Sequence, residues 1–500
     1  MFESAELGHR IDKASYAHEV ETLRADLLDA QYDLLAAGVP VIILVNGIDG
    51  AGKSETVNLL NSWMDPRHIA THAFAESSDE ERERPPMWRF WRALPAKGRI
   101  AIFFGNWYTA PIVGRVDGTV KSAELERRIE EIKRFERMLG DEGVLLLKFW
   151  FHLSWAAQEE RLKKLGKDPK TRWRVTDTDR WRFRHYDRYR AVSERVLRET
   201  DSGHAPWSVI DGSDARYRAL AVGRQLLAAL RQRLARPAGT TRRVAGPRPA
   251  PALDGRDVIN ALDLSLALAK GRYDTELEKW QGRLNLLSRR AQFRRRSVVV
   301  VFEGNDAAGK GGAVRRITGA LDARQYHVIP VAAPSDEELA RPYLWRFWRQ
   351  VPRQGRVAVF DRSWYGRVLV ERVEGFCAEA DWMRAYSEIN EFEEQLDRHG
   401  AIVVKFWLAI SADEQLRRFK EREQTRFKRF KIGAEDWRNR DKSDQYEAAV
   451  CDMVDRTSTA IAPWTLVEGN DKNYARVKIL RTLCERLEAG LSAGRKPGAD

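Results

Sequence analysis

Gly304, Gly309 and Lys310 stand at the spacing G-x-x-x-x-G-K, and a run of β-branched residues at 298–301 leads into them. Glycines so spaced let backbone N–H groups close around phosphate oxygens. A following helix adds the positive end of its dipole, and the lysine supplies a point charge. The implied chemistry is phosphoryl binding or transfer. A second strand-like run, 357–360, ends in Asp361 and Arg362. That strand end is where a phosphate-loop enzyme keeps a carboxylate for Mg²⁺. Asp306, inside the loop, is the other available carboxylate, and hard Mg²⁺ prefers such oxygen ligands. The expected metal-holding pair is therefore Asp306 and Asp361, with Lys310 and Arg362 acting on phosphate charge. Gly304, Asn305, Gly309 and Gly311 are the expected substrate contacts of the loop.

The motif occurs twice. Residues 41–56 read VIILVNGIDGAGKSET, and Lys310 minus Lys53 gives an offset of 257 that holds without a gap along most of each half. Trp88 to Arg92 match Trp345 to Arg349, Trp107 and Tyr108 match Trp364 and Tyr365, and Lys148 matches Lys405. This is duplication of a whole domain, not a solenoid-type repeat. The copies disagree where it matters. Asp361, Arg362 and Ser363 correspond to Phe104, Gly105 and Asn106, whereas Gly311 corresponds to Ser54. A loop Ser normally places a hydroxyl on Mg²⁺, but a missing carboxylate is harder to replace than a missing hydroxyl. Chemistry is therefore expected in residues 256–500. Residues 1–235 are expected to be a degenerate copy that keeps the loop and has lost the strand-end acid, with a Pro/Gly/Arg-rich linker at 236–255.

Residues 417–431, RRFKEREQTRFKRFK, set eight basic side chains against Glu421 and Glu423. Such a run reads as a solvated helix face. Placed after the strand ending near Ile410, at the carboxyl edge of a sheet, it reads as a basic lid that closes over a polyanion and excludes water. Arg426, Lys428 and Arg429 are its expected contacts.

The elements needed to position these groups follow from periodicity. In the first half a leading amphipathic helix spans 12–37, and strands span 41–45, 69–74, 99–104, 144–153 and 207–210. Helices cover 124–139 and 216–234, and the second half repeats the pattern with strands near Val298, His327, Arg356, Ala401 and Trp464. The fold class is α/β: a tandem duplication of a P-loop kinase-like three-layer domain with a parallel sheet and a helical lid. With 500 residues, 43% of them hydrophobic, there is material for two cores. The net charge of +13 suits a polyanionic partner. Neither an aromatic RNA-binding signature nor helix-turn-helix or zinc-finger spacing is present, which argues against nucleic acid. The absence of an apolar run of spanning length or a signal-like start argues against a membrane. Cys377, Cys451 and Cys484 lie far apart, as in a cytoplasmic protein without disulfides.

The second half resembles the polyphosphate kinase 2 family. VVVVFEGNDAAGKGG, FDRSWYGR and VERVEGF resemble its Walker-type motifs; KFWLAIS, the basic lid and TSTAIAPWTLVEGNDKNYARVKIL resemble its later segments. The resemblance implies inorganic polyphosphate as donor. In the family's two-domain members it further implies AMP as acceptor, giving ADP, with Mg²⁺. It carries over Asp306, Lys310, Asp361 and Arg362 as catalytic, and adds Arg372 and Lys405 as substrate contacts; Arg367, six residues after Asp361, is a further expected substrate contact. The first half's DPKTRWRVT is closer to the family's lid wording than the second half's TRFKRFKIG. Alternative readings are a polyphosphate-dependent nucleoside diphosphate kinase, an ATP-dependent nucleotide kinase, and a basic nucleic-acid-binding protein. A first half serving as scaffold, or a homo-oligomer, is compatible with the main reading.

Overall fold

The computed structural model describes residues 1–235, 257–426 and 428–492; the expected linker lies outside them. The first half contains β1 (Val41–Gly47), β2 (Ile69–Ala73), β3 (Ile100–Phe104), β4 (Leu145–His152) and β5 (Trp207–Asp211). The second contains β6 (Val298–Gly304), β7 (Tyr326–Pro330), β8 (Val357–Asp361), β9 (Ile402–Ala409) and β10 (Trp464–Glu468). Each set forms one five-stranded sheet, in the orders β2-β3-β1-β4-β5 and β7-β8-β6-β9-β10, and all pairings are parallel. The central strands carry β-branched runs because helices cover both faces; every residue of β1 and β9 is buried. Each expected strand is present, its ends shifted by at most two residues. The leading helix is Lys13–Ala37, capped by the Asp12 carboxylate, which accepts from Ala14 N and Ser15 N.

The two halves share one core cluster. Trp91 stacks on Trp348 at 5.5 Å between ring centroids and 16° between planes. Arg84 Nε donates to Val351 O at 2.8 Å, and its counterpart Arg341 Nε donates to Leu94 O at 3.3 Å. Self-paired and reciprocal contacts of this kind are what a two-fold relation between the copies requires. Charge breaks that symmetry: Arg134 pairs with Glu391, its own counterpart, at 3.2 Å, and Arg353 pairs with Glu83 at 2.5 Å.

Candidate active site

In the second half, β6 delivers the chain into the phosphate loop, and Gly309 caps the helix Lys310–Thr318 in a left-handed conformation. Gly304 must be glycine: at φ 145° a Cβ would sit 2.4 Å from Leu408 O on the neighbouring strand. Lys310 Nζ lies over the loop, donating to Gly304 O at 2.7 Å and Asn305 O at 3.2 Å. The Asn305 side chain accepts from Ile410 N at 3.1 Å, tying the loop to the end of β9.

Parallel pairing of β6 with β8 sets Asp361 beside Phe302, one residue from Glu303. The Asp361 carboxylate carries no ion pair or hydrogen bond among the described residues. Arg362, in a left-handed conformation at φ 65°, reaches Asp306 Oδ1 at 3.1 Å and Glu435 of the lid at 3.4 Å. Asp306 Oδ2 accepts from Asn439 Nδ2 at 2.8 Å. Glu303, 5% exposed, accepts from Ser363 Oγ at 2.7 Å. Burial pushes its carboxyl up, while Ser363, Lys310 and Arg362 pull it back. Lys310, Arg362 and the carboxylates of Glu303, Asp306 and Asp361 are thus all placed along the ends of β6 and β8, the edge at which open parallel sheets bind ligands.

A cleft of about 460 Å³ opens from this point beneath the lid, lined by Glu303, Asp306, Arg362, Trp407, Tyr446 and Ile259 among others. Its lining combines charged groups with the aromatic and aliphatic surfaces of Trp407, Tyr446 and Ile259. The lid comprises Ala412–Gln424, a short turn of helix at Arg429–Lys431, and Ala434–Asp441. Its first helix grips the loop: Gln415 Nε2 donates to Asp306 O at 3.2 Å.

Other expected substrate contacts lie elsewhere. Lys405 is fully buried, donating to Glu393 at 2.8 Å, Tyr365 OH at 2.7 Å and Thr457 O at 2.8 Å. Its place in the core contradicts a role in binding substrate. Arg372 pairs with Asp452 at 2.6 Å and lies over the Trp382 ring. Arg367 pairs with Glu371 at 3.1 Å over the Tyr343 ring, beside a separate cavity between the halves. Both are spent on packing away from the cleft. Arg426 and Arg429 are exposed, and Lys428 pairs with Glu421 at 2.7 Å; these three sit on the lid without lining the cleft. Gly311 stands in the first turn of the loop helix with open space beside it.

Sequence reasoning missed Glu303, Gln415, Asn439 and Tyr446. A signal existed for Glu303, since its counterpart in the acid-depleted half is Asn46; the others lie on helices whose sequence marks none of these positions.

The first half differs in more than its missing acid. Asp49, the counterpart of Asp306, is held by Lys53 at 3.1 Å and Arg182 at 3.0 Å. Where Ile259 lines the second cleft, the first half has Phe2, fully buried and stacked on His152 at 4.4 Å and Trp150 at 5.9 Å. Trp150 is the counterpart of Trp407. The N-terminal segment therefore fills the space that the second half keeps open.

Fold and site together define a P-loop phosphotransferase duplicated within one chain. The family model for polyphosphate kinase 2 matches residues 10–237 and 267–493, and the chain belongs to that family. It is 59% identical to a polyphosphate:AMP phosphotransferase of Pseudomonas aeruginosa, covering 98% of this chain and 99% of that protein. To a polyphosphate:AMP phosphotransferase of Acinetobacter johnsonii it is 39% identical, covering 95% and 98%. A crystal structure of a Pseudomonas aeruginosa chain assigned to polyphosphate kinase 2 superposes with a TM-score of 0.87 at 56% identity, over 98% of this chain and 99% of that one.

Proposed function

We propose that the second half transfers the terminal phosphoryl group of inorganic polyphosphate to AMP, giving ADP, and that the first half is catalytically silent. The observation that carries this reading is Asp361 at the end of β8, without an ion pair among the described residues, beside Arg362 and a phosphate loop that opens into an aromatic-walled cleft. The full-length relatives named for this reaction support the choice of donor and acceptor.

In the reaction an AMP phosphate oxygen bonds to the terminal phosphorus as the bond from that phosphorus to its bridging oxygen breaks. A chain one unit shorter leaves with the negative charge. Lys310 and Arg362 offset the charge on the transferring group, and loop N–H groups orient it. Trp407, Tyr446 and Ile259 offer a surface for the base. The lid excludes water, which would otherwise compete as acceptor.

The donor set fits Mg²⁺. Asp361 is available, with Glu303 and Asp306 adjacent, and no cluster of three metal-binding side chains occurs among the described residues. A cation that takes most of its ligands from phosphates and water needs no more than one or two carboxylates. When bound, it would supply further neutralisation of phosphate charge.

The test is to incubate the full chain with Mg²⁺ and AMP, plus either polyphosphate or ATP, and to quantify ADP by chromatography. ADP beyond the no-donor blank with polyphosphate supports the reading; formation only with ATP would replace it with an ATP-dependent nucleotide kinase. Substituting ADP for AMP tests the nucleoside diphosphate kinase alternative.

A further inference from the structure

Among the described residues, only two non-glycine residues have positive φ, Ala307 at 64° and Arg362 at 65°, and both belong to the second-half site. Their counterparts in the first half are Gly50 and Gly105, at 84° and 74°. Left-handed backbone is unfavourable for a residue with a Cβ and persists where surrounding contacts enforce it. At Ala307 the enforcing contact is visible. Arg418, on the first helix of the lid and only 3% exposed, donates to Ala307 O at 2.9 Å and Ala308 O at 3.0 Å. Its other nitrogens reach Gly469 O at 2.7 Å, Asn470 O at 2.8 Å and Glu414 at 2.5 Å. We propose that Arg418 is a positioning residue: from the lid, it holds the phosphate loop in its left-handed form and fixes it to the turn after β10.

The first half serves as an internal control. There the Gln158 grip on Asp49 O persists at 3.0 Å, but Arg161, at the position of Arg418, turns away to Glu55 at 3.1 Å. Glu55 stands where the second half has Gly312. Gly212 O, the counterpart of Gly469 O, is taken by Arg218 at 2.9 Å, from a position that is Ala475 in the second half. The half that lost the strand-end acid thus lacks the clamp and carries glycine at the strained position. Arg418 touches no reacting atom; it acts through the loop.

The inference rests on the proposed function, and the assay separates the two. If the parent chain forms no ADP from polyphosphate, that reading fails first. If it does, Arg418→Met should lower kcat roughly 5- to 30-fold, the shift in loop population expected on releasing a left-handed alanine. KM for AMP should change less than ~2-fold, because the cleft wall is intact. Adding Ala307→Gly should restore at least ~3-fold of the lost kcat, because glycine adopts the loop form unaided. A merely structural arginine would show a fall in Tm and no such rescue. Should Arg418→Met fail to fold, Gly312→Glu offers the carboxylate that diverts Arg161, at a site where a Cβ meets nothing closer than 3.5 Å. It should lower kcat and be rescued by Ala307→Gly in the same way, whereas charge repulsion alone would raise KM for polyphosphate and resist rescue. Wild-type kcat in Arg418→Met, or failure of Ala307→Gly to rescue either variant, overturns the proposal.

Discussion

Replacing Lys405 with methionine should unfold the protein more easily and leave its substrates alone. Lys405 and Glu393 are both fully buried, 2.8 Å apart, and the ammonium also lies 5.1 and 5.0 Å from the centres of the Tyr365 and Trp464 rings. Burial pushes the Glu393 carboxyl up and the Lys405 ammonium down, so each depends on the other to stay charged. Without the lysine, Glu393 keeps only Trp364 Nε1 at 3.1 Å and Tyr365 OH at 2.7 Å. Breaking a buried pair by removing one partner costs about 3–5 kcal/mol. At about 2–4 °C per kcal/mol for a domain of this size, Tm should fall by roughly 6–20 °C. Scanning calorimetry reads that shift. Steady-state kinetics well below the transition should find KM for polyphosphate and AMP within ~2-fold of the parent, as a side chain sealed in the core and neutralised by Glu393 reaches no substrate. The same arrangement recurs at Lys148, 2.8 Å from Glu136 and also buried, in the half without Asp361. Lys148→Met should therefore cost a comparable amount. A large rise in KM with Tm unmoved in Lys405→Met would refute the reasoning and return the lysine to the substrate.

Asp361→Asn should lower turnover at least ~100-fold with the fold intact, checked by ADP formation and circular dichroism. Lys310→Ala should cut activity comparably, while Lys53→Ala, whose lysine is held by Asp49, should leave it within ~2-fold; equal losses would show that the first half works. Glu388 lies in a cavity between the halves, where burial raises its carboxyl from 4.5 to about 7. A raised carboxyl stabilises the fold fully below the unfolded value and loses that contribution as pH rises through the folded one. Stability should thus fall by about 3 kcal/mol between pH 4.5 and 7, and Glu388→Gln should flatten that slope in denaturant titrations. Replacing Arg426, Lys428 and Arg429 together with alanine should raise KM for polyphosphate and weaken its salt dependence, with Tm almost unchanged, because exposed pairs contribute only about 0–1 kcal/mol each.

The strands were legible because a buried parallel strand must be apolar on both faces, and the duplication gave each motif a second instance for comparison. The loop and the strand-end acid were legible for a related reason: backbone geometry dictates glycine and carboxylate at set places. Lys405 misled because the family resemblance alone suggested it as a substrate contact, and its partner Glu393 lies 12 positions earlier on a helix whose acids otherwise look solvated. Arg367 and Arg372 misled similarly; each sits in a motif beside the loop, yet an arginine's reach lets it turn to an aromatic ring. Arg418 was hidden in a run of eight basic residues, since nothing in a charge run says which side chain points inward. Phe2 was equally silent, because what it fills is defined by residues 150 positions away.

The stack of Trp91 on Trp348 also sets a timetable. The two rings are 257 residues apart in the chain, so at 5–20 residues per second roughly 13–50 s of translation separate them. During that interval the first half has folded material but no partner for its apolar face, and on a polysome its nearest alternative is the same face of another nascent chain. Two first halves so paired would set Arg134 against Arg134, where the finished molecule sets Arg134 against Glu391. Like charges at that point make the wait safer and reward the correct partner on arrival. Arg134→Glu together with Glu391→Arg would keep the final pair while moving the repulsive glutamate to the early half, and should assemble as well as the parent. Arg134→Leu, which removes the repulsion, should raise the yield of cross-linked nascent dimers; an unchanged yield would mean that the face is shielded by some other means.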